Sequence, residues 1–183
     1  MDRIKKNFGF GCMRLPMSGD EVDKVQMCQM VDAFLETGFN YFDTAHGYLQ
    51  GKSETALRDC LTSRYPRDRY VLTDKLTGSY FKTEADIRPF FQRQLEACGV
   101  EYFDFYLMHS QHAGNFGHFR DCRAYETAFA LKAEGKVLVD FYGDGCVPCQ
   151  ALMPHVHELA EQYGDKIKFC ALNTTKARRL AIA

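Results

Sequence analysis

The chain has 183 residues, of which 46% are hydrophobic and 26% charged, the composition of an ordinary globular protein. Its net charge of -1 provides no basic excess, so the sequence does not indicate nucleic-acid binding. No apolar run approaches the ~18 residues of a membrane-spanning helix, and the segment 1–21 lacks the apolar core of a secretion signal. We therefore expect a cytoplasmic protein that binds neither nucleic acid nor membrane.

Strand-like and helix-like segments alternate along the whole chain. The predicted strands are apolar along most of their length and span 8–14, 39–45, 70–76, 103–109, 137–142 and 167–173. The predicted helices follow them at 21–37, 53–63, 83–98, 121–134, 149–163 and 174–183. Apolar strands are typical of a sheet that is covered on both faces. The order predicts an α/β fold of six consecutive βα units with a parallel sheet, too few to close a barrel of eight.

Several helix details follow from residue type and spacing. The buried face of the first helix is predicted to consist of Val22, Val25, Cys28, Val31 and Phe34. Gly38 and Gly99 are expected to end the first and third helices. Ser53 is a plausible N-cap for the second helix. Pro89 requires the third helix either to begin near Asp86 or to kink.

Four polar residues lie at or just beyond the ends of the second, third and fourth strands: Asp43, Tyr48, Lys75 and His109. In parallel α/β folds, functional sites form at this edge of the sheet. An aspartate and a lysine inside apolar strands are costly unless they pair. A Lys75–Asp43 pair would lower the pKa of the Tyr48 hydroxyl from its usual ~10 and let it donate a proton.

This arrangement favours carbonyl reduction, with hydride arriving from a cofactor. His109 would hold the substrate oxygen through a hydrogen bond. From spacing alone an alternative stays open, namely a structural ion pair beside a surface tyrosine and a histidine whose hydrogen bonds are satisfied.

The segment VLVDFYGDGCVPCQALMPHV places Cys146 and Cys149 between a predicted strand and a predicted helix. Unpaired N–H groups and the dipole at a helix N-terminus stabilise a thiolate, so Cys146 is the expected nucleophile and Cys149 the resolving thiol. Inert buried thiols are one alternative. A zinc site is another, but His155 and His157 lie on one short helix and cannot easily complete a tetrahedron. We expect no metal. The other six cysteines are scattered, which is typical of reduced core residues.

Residues 8–137 resemble the N-terminal half of a bacterial aldo/keto reductase. The segments that carry the resemblance are FGFGCMRLPM, GFNYFDTAHGY, SETALRDCL, VLTDKL and YFDFYLMHSQ. The resemblance implies an incomplete TIM-barrel-like half in which Asp43, Tyr48, Lys75 and His109 form the catalytic tetrad. It also implies NADPH as cofactor and a small carbonyl substrate. The family holds this cofactor largely with the second half of the barrel, so we assign no cofactor-binding residue and expect weak NADPH binding.

Residues 134–183 resemble the central part of a thioredoxin of the GCVPC type, with a βαβα order. The resemblance implies that Asp140 assists proton removal from the resolving thiol, and that the partner is a protein disulfide. AEGKV at 133–137 is compatible with both families, so the two patterns join without interrupting the βα alternation. We predict a reductase-like segment at 1–136 and a thioredoxin-like segment at 137–183.

Three functions remain open from the sequence: a carbonyl reductase joined to a dithiol, a thiol–disulfide oxidoreductase only, and a catalytically silent chimeric or truncated fragment. The first two are oxidoreductases and differ in which residues react. Open parallel edges at the first and last strands would also permit assembly into a homo-oligomer.

Overall fold

The computed structural model describes residues 3–135, 140–142 and 171–173. Its strands are Gly9–Gly11 (β1), Met17–Ser18 (β2), Glu21–Val22 (β3), Tyr41–Asp43 (β4), Val71–Thr77 (β5), Phe105–His109 (β6), Asp140–Tyr142 (β7) and Ala171–Asn173 (β8). Its α-helices are Lys24–Glu36 (α1), Lys52–Leu57 (α2), Glu84–Cys98 (α3), Phe116–Asp121 (α4) and Ala124–Ala133 (α5). The helices predicted at 149–163 and 174–183 lie outside the described residues.

The main sheet has the strand order β1-β4-β5-β6, and every pair in it is parallel. A second parallel pair joins β7 to β8. The predicted α/β fold with a parallel sheet is therefore confirmed, as a partial barrel-type sheet without closure among the described strands. Within the main sheet β1 and β6 are the outermost strands, so Asp43 and Lys75 lie on inner strands and His109 on an edge strand. Tyr48 begins a 3-10 turn, Tyr48–Gly51, that follows β4.

The buried face of α1 differs from the predicted one. Met27, Val31 and Leu35 are buried, whereas Val25 is 73% exposed. Val22 precedes the helix, in a short antiparallel hairpin of β2 and β3 that the sequence did not suggest. The hairpin and the N-cap at Asp23, which accepts from the Gln26 N–H at 3.0 Å, fix where the helix begins. The buried stripe consequently includes Met27 and Leu35 in place of Val25.

The predicted N-cap at Ser53 is wrong, because α2 begins one residue earlier. The Ser53 hydroxyl is buried and bonds to the Thr44 hydroxyl at 2.7 Å and to the Cys12 carbonyl at 2.9 Å. These bonds attach α2 to the ends of β1 and β4. The helix continues as a π-type turn over Arg58–Thr62.

The third helix, α3, contains Pro89 and begins with a capping box between Thr83 and Asp86. Its span agrees with the predicted 83–98 to within one residue, and of the two alternatives for Pro89, a start near Asp86 is not the one found. Gly99 ends α3 with a left-handed φ of 67°, the conformation that the absence of a Cβ permits. Gly38 follows α1 in the same way, with a φ of 86°. Both predicted helix ends are confirmed.

The core lies between the main sheet and α1, α2 and α3. Phe42, Leu72 and Leu76 on the inner strands pack in one cluster with Ile87 and Phe90 of α3. The five described cysteines are free, and four of them are buried, which agrees with their predicted role as reduced core residues. They are Cys12, Cys28, Cys60, Cys98 and Cys122.

None of the helices in the described ranges is long and apolar enough to cross a bilayer. The predicted cytoplasmic location stays a prediction.

Candidate functional site

A buried ion pair forms where β4 and β5 end. Lys75 Nζ lies 2.5 Å from Asp43 Oδ1 and donates to the Thr44 carbonyl at 2.6 Å. Asp43 is paired in register with Thr73, and Lys75, two residues further along β5, lies on the same face of the strand. The strand register thus brings the ammonium and the carboxylate together, as the sequence predicted.

Tyr48 lies over this ion pair. The Lys75 ammonium is 4.8 Å from the centroid of the Tyr48 ring. Tyr48 is half-buried and is anchored by its N–H, which donates to the Ala45 carbonyl at 2.9 Å. The ammonium therefore lies against the face of the phenol ring in a cation–π arrangement.

His109 completes the group. Its ring lies edge-on to that of Tyr48, with 5.8 Å between the centroids. Thr77, its register partner on β5, places Oγ1 2.8 Å from His109 Nδ1, so Nε2 is the ring nitrogen that can face a ligand. Burial, with a further contribution from the Lys75 charge, lowers the pKa of His109 below its usual value. The imidazole is therefore neutral at neutral pH.

Backbone strain is concentrated directly after the two aromatic residues of the site. Leu49 and Gln50, which follow Tyr48, have left-handed φ angles of 50° and 58°. Ser110, which follows His109, has a φ of 55°. Such conformations cost of order 1–2 kcal/mol for a residue with a Cβ, and they occur most often at functional sites. The strain redirects the chain just beyond the side chains that form the site.

The structure thus brings together Asp43, Tyr48, Lys75 and His109 at one edge of the sheet, and their chemical roles stay predictions. Asp140 begins β7, but its side chain is not described. Cys146 and Cys149 lie outside the described residues.

Sequence reasoning missed three polar residues next to the tetrad. Thr77 could have been found from its position, because it lies two residues beyond Lys75 on the same face of β5. Asp74 and Glu54 are fully buried. Asp74 was visible in VLTDKL as a second charge inside an apolar strand, whereas no periodicity marks Glu54 as buried.

The donors at this edge fit a carbonyl oxygen. They are a phenol, a neutral imidazole and an ammonium, the groups that bind or protonate a polarised oxygen. Two of the three N–H donors of the Lys75 ammonium are directed at Asp43 and at the Thr44 carbonyl. The ligand that these strand ends bind stays a prediction.

Comparison with known proteins identifies two families. The family model described as "Aldo/keto reductase family" matches residues 7–138, and the one described as "Thioredoxin" matches residues 122–183. The matches overlap at 122–138, a stretch that includes α5. The chain is therefore a fusion of the two patterns, and the predicted division at 136/137 stays a prediction.

Individual relatives match the thioredoxin-like segment. Thioredoxin of Peptoclostridium acidaminophilum is 61% identical over 56 residues, covering 31% of this chain and 51% of that protein. Thioredoxin of Acetoanaerobium sticklandii is 56% identical over 52 residues, covering 28% of this chain and 50% of that protein. The chain thus spans about half the length of these relatives.

The fold is shared with a solved structure of an aldo-keto reductase from Klebsiella pneumoniae in complex with NADPH. The TM-score is 0.63 at 20% identity, and the match covers 94% of this chain and 65% of that chain. At this level of identity the likeness shows the fold alone.

Relief of the strain beside Tyr48 gives a testable change. Gln50→Gly removes the Cβ from an exposed left-handed residue, so we expect the free energy of unfolding to rise by about 0.5–1 kcal/mol. Chemical denaturation measures it. Gln92→Gly, an exposed glutamine inside α3, is the matched control and should lower stability by about 1 kcal/mol. Equal destabilisation by both changes would contradict the strained conformation.

Proposed function

We propose, from the premise that this chain belongs to the aldo/keto reductase family, that Tyr48 donates a proton to a carbonyl oxygen during reduction. The observation that carries the proposal is the position of the Lys75 ammonium, bound to Asp43 and 4.8 Å from the Tyr48 ring. The two family matches support the broader statement that the chain is an oxidoreductase with an aldo/keto reductase segment and a thioredoxin segment.

Each residue has a distinct part in the proposed step. When hydride reaches the carbonyl carbon, the C=O π electrons move to the oxygen, which takes the proton from the Tyr48 hydroxyl. The phenolate that remains is stabilised by the Lys75 ammonium, whose position Asp43 fixes. His109 donates from Nε2 to the same oxygen, because Thr77 holds Nδ1. The proposal requires the tautomer with the proton on Nε2, in which Nδ1 accepts from the Thr77 hydroxyl. In the other tautomer Nδ1–H would donate to Thr77, and Nε2 could only accept.

The family and its NADPH-bound neighbour suggest a nicotinamide cofactor for this site. The described donors at the strand ends are assigned to the carbonyl, and no residue of this chain is assigned to the cofactor phosphates. We propose that NADPH binds weakly and that turnover is slow for this reason.

Removal of one hydroxyl tests the proton donor. Tyr48→Phe keeps the ring over Lys75 but removes the acid, which should lower the rate of aldehyde reduction by at least about 10²-fold. The rate is measured by absorbance at several NADPH concentrations up to the millimolar range. For the original chain the rate should still be rising with NADPH at about 1 mM, the upper end of usual KM values.

The matched control is Tyr65→Phe, which removes a hydroxyl that donates to Asp32. Tyr65 precedes β5 and therefore lies at the end of that strand opposite to the site. It should leave aldehyde reduction unchanged. Equal rates for the Tyr48→Phe variant and the original chain would contradict the proposed acid. Saturation at micromolar NADPH would contradict weak cofactor binding, and absence of turnover in every chain would favour the silent-fragment alternative.

A second function is favoured by the 61% identity to a thioredoxin. We propose that the Cys146 thiolate attacks a protein disulfide, forming a mixed disulfide and releasing one partner thiolate. Cys149 then attacks the Cys146 sulfur, which forms the Cys146–Cys149 disulfide and releases the second thiol. Two electrons pass to the partner, and Asp140 would accept the proton of Cys149 in this scheme.

Single cysteine substitutions test the dithiol. With a small dithiol as reductant, Cys146→Ser should reduce the rate of protein-disulfide reduction to that of the reductant alone, because the nucleophile is gone. Cys149→Ser should accumulate a covalent mixed disulfide, detected by mass spectrometry. Cys28→Ser, at a half-buried free cysteine, serves as control and should change neither result. The dithiol is ruled out if neither Cys146→Ser nor Cys149→Ser changes the rate of protein-disulfide reduction.

A further inference from the structure

Two carboxyl groups are buried behind the strand-end site. Glu54 on α2 and Asp74 on β5 are both fully inaccessible to solvent. Their oxygens and the sulfur of Cys98 lie within 4.8 Å of one another. Asp74 directly precedes Lys75 on β5, so this group lies beside the backbone of the lysine of the site.

The hydrogen bonds of the two carboxyls leave one oxygen without a conventional donor. Asp74 Oδ1 accepts from the Lys75 N–H at 2.7 Å. One oxygen of Glu54, Oε2, lies 2.8 Å from His46 Nδ1. The other, Oε1, is buried and meets no N–H or hydroxyl donor among the described residues. The side chains that act on the Glu54 carboxyl by hydrogen bonding are the Asp74 carboxyl and the Gln94 amide, and a bond between the two carboxyls requires a proton on one of them.

The electrostatics of the two buried carboxyls also favour one proton between them. Burial raises the pKa of Glu54 to about 7, and burial together with the Glu54 charge raises that of Asp74 well above its usual value. Two ionised carboxylates cannot share a dry site at this spacing without a large energetic cost. One proton leaves the pair with a single negative charge, which the Lys75 N–H and His46 can hydrogen-bond. The groups that face the pair or act on its neighbours are His46, Arg58, Lys75, Arg93, Gln94, Cys98 and Tyr106.

We propose that Glu54 and Asp74 share one proton and thereby act as positioning residues for Lys75. The positioning part rests on the proposed function of Lys75 beside Tyr48. Asp74 holds the N–H of Lys75, and the buried Gln94 amide donates to the Lys75 carbonyl at 3.1 Å. Both sides of the Lys75 backbone are thus fixed by buried polar groups. Loss of the shared proton would place a second negative charge behind the ammonium.

Infrared spectroscopy of the whole chain at pH 7 tests the shared proton directly. We expect a C=O band from a protonated, buried carboxyl. Asp74→Asn and Glu54→Gln should each abolish it, since an amide N–H can replace the shared proton while the pair keeps one negative charge. Both variants should therefore fold, with melting midpoints within about 4 °C of the original. The control Glu84→Gln, at an exposed residue of α3, should leave the band unchanged.

The pH dependence of the unfolding free energy is a second test of the shared proton. Because the folded pair holds protons that the unfolded chain has released, its contribution to stability is complete below about pH 4. The contribution declines as pH rises through about 7, where Glu54 ionises, and the rest is lost as pH passes the raised pKa of Asp74. The slope of unfolding free energy between pH 5 and 8 should be less negative in Asp74→Asn than in the original chain. An unchanged slope would overturn the shared proton. Survival of the band in Glu54→Gln would also overturn it, by assigning the proton to Asp74 alone.

The effect on Lys75 is tested without turnover. The ¹⁵N shift of the Lys75 ammonium should change at the same pH as the carboxyl band, and Asp74→Asn should remove that change. A band that titrates while the lysine shift stays constant would overturn the positioning role and leave the proposed proton donor untouched. Appearance of the band only after a chelator is added would show a bound cation in place of the proton and would overturn the shared proton.

Discussion

The buried ion pair between Lys75 and Asp43 is the interaction on which the rest of the site depends. Neither charge is stable alone in this position, because removing a charge from water costs several kcal/mol unless a partner replaces the solvent. The parallel register of β4 and β5 satisfies this requirement by placing both side chains on one face. Once the pair forms, the ammonium has a fixed position, and Tyr48 and His109 are arranged around it. The geometry therefore follows from strand register more than from any loop.

Two further features of the sheet edge surround the Lys75–Asp43 ion pair, one in the loops and one in the core. Left-handed residues after Tyr48 and His109 turn the chain away just beyond the aromatic rings. On the opposite side, the buried side chains of Asp74 and Gln94 hydrogen-bond the backbone N–H and carbonyl of Lys75 inside the core. A strained loop is tolerated where well-packed structure surrounds it, and here the surrounding structure is the hydrophobic contact of α2 and α3 with the sheet.

Much of the fold could be predicted because apolar strands and helical spacing are strong local signals. The strands with the tetrad, the ends of α1 and α3 at glycine, and the convergence of Asp43 with Lys75 all followed from such signals. The exposed Val25 and the role of Ser53 did not, because both depend on where a helix begins, and tertiary contacts decide that. Glu54 was missed for a related reason: a glutamate near a helix start usually faces solvent, and only the packed structure reveals its carboxyl partner.

The chain matches an aldo/keto reductase model at residues 7–138 and a thioredoxin model at 122–183, and most of the described residues lie in the first match. A double-mutant cycle on the ion pair tests the central claim most directly, with Asp43→Asn, Lys75→Met and the double variant compared by unfolding free energy. A coupling energy of more than about 1 kcal/mol is expected for a largely buried pair. A coupling within about 0.3 kcal/mol of zero would mean that the two charges do not fix each other, and the account of the site would be contradicted.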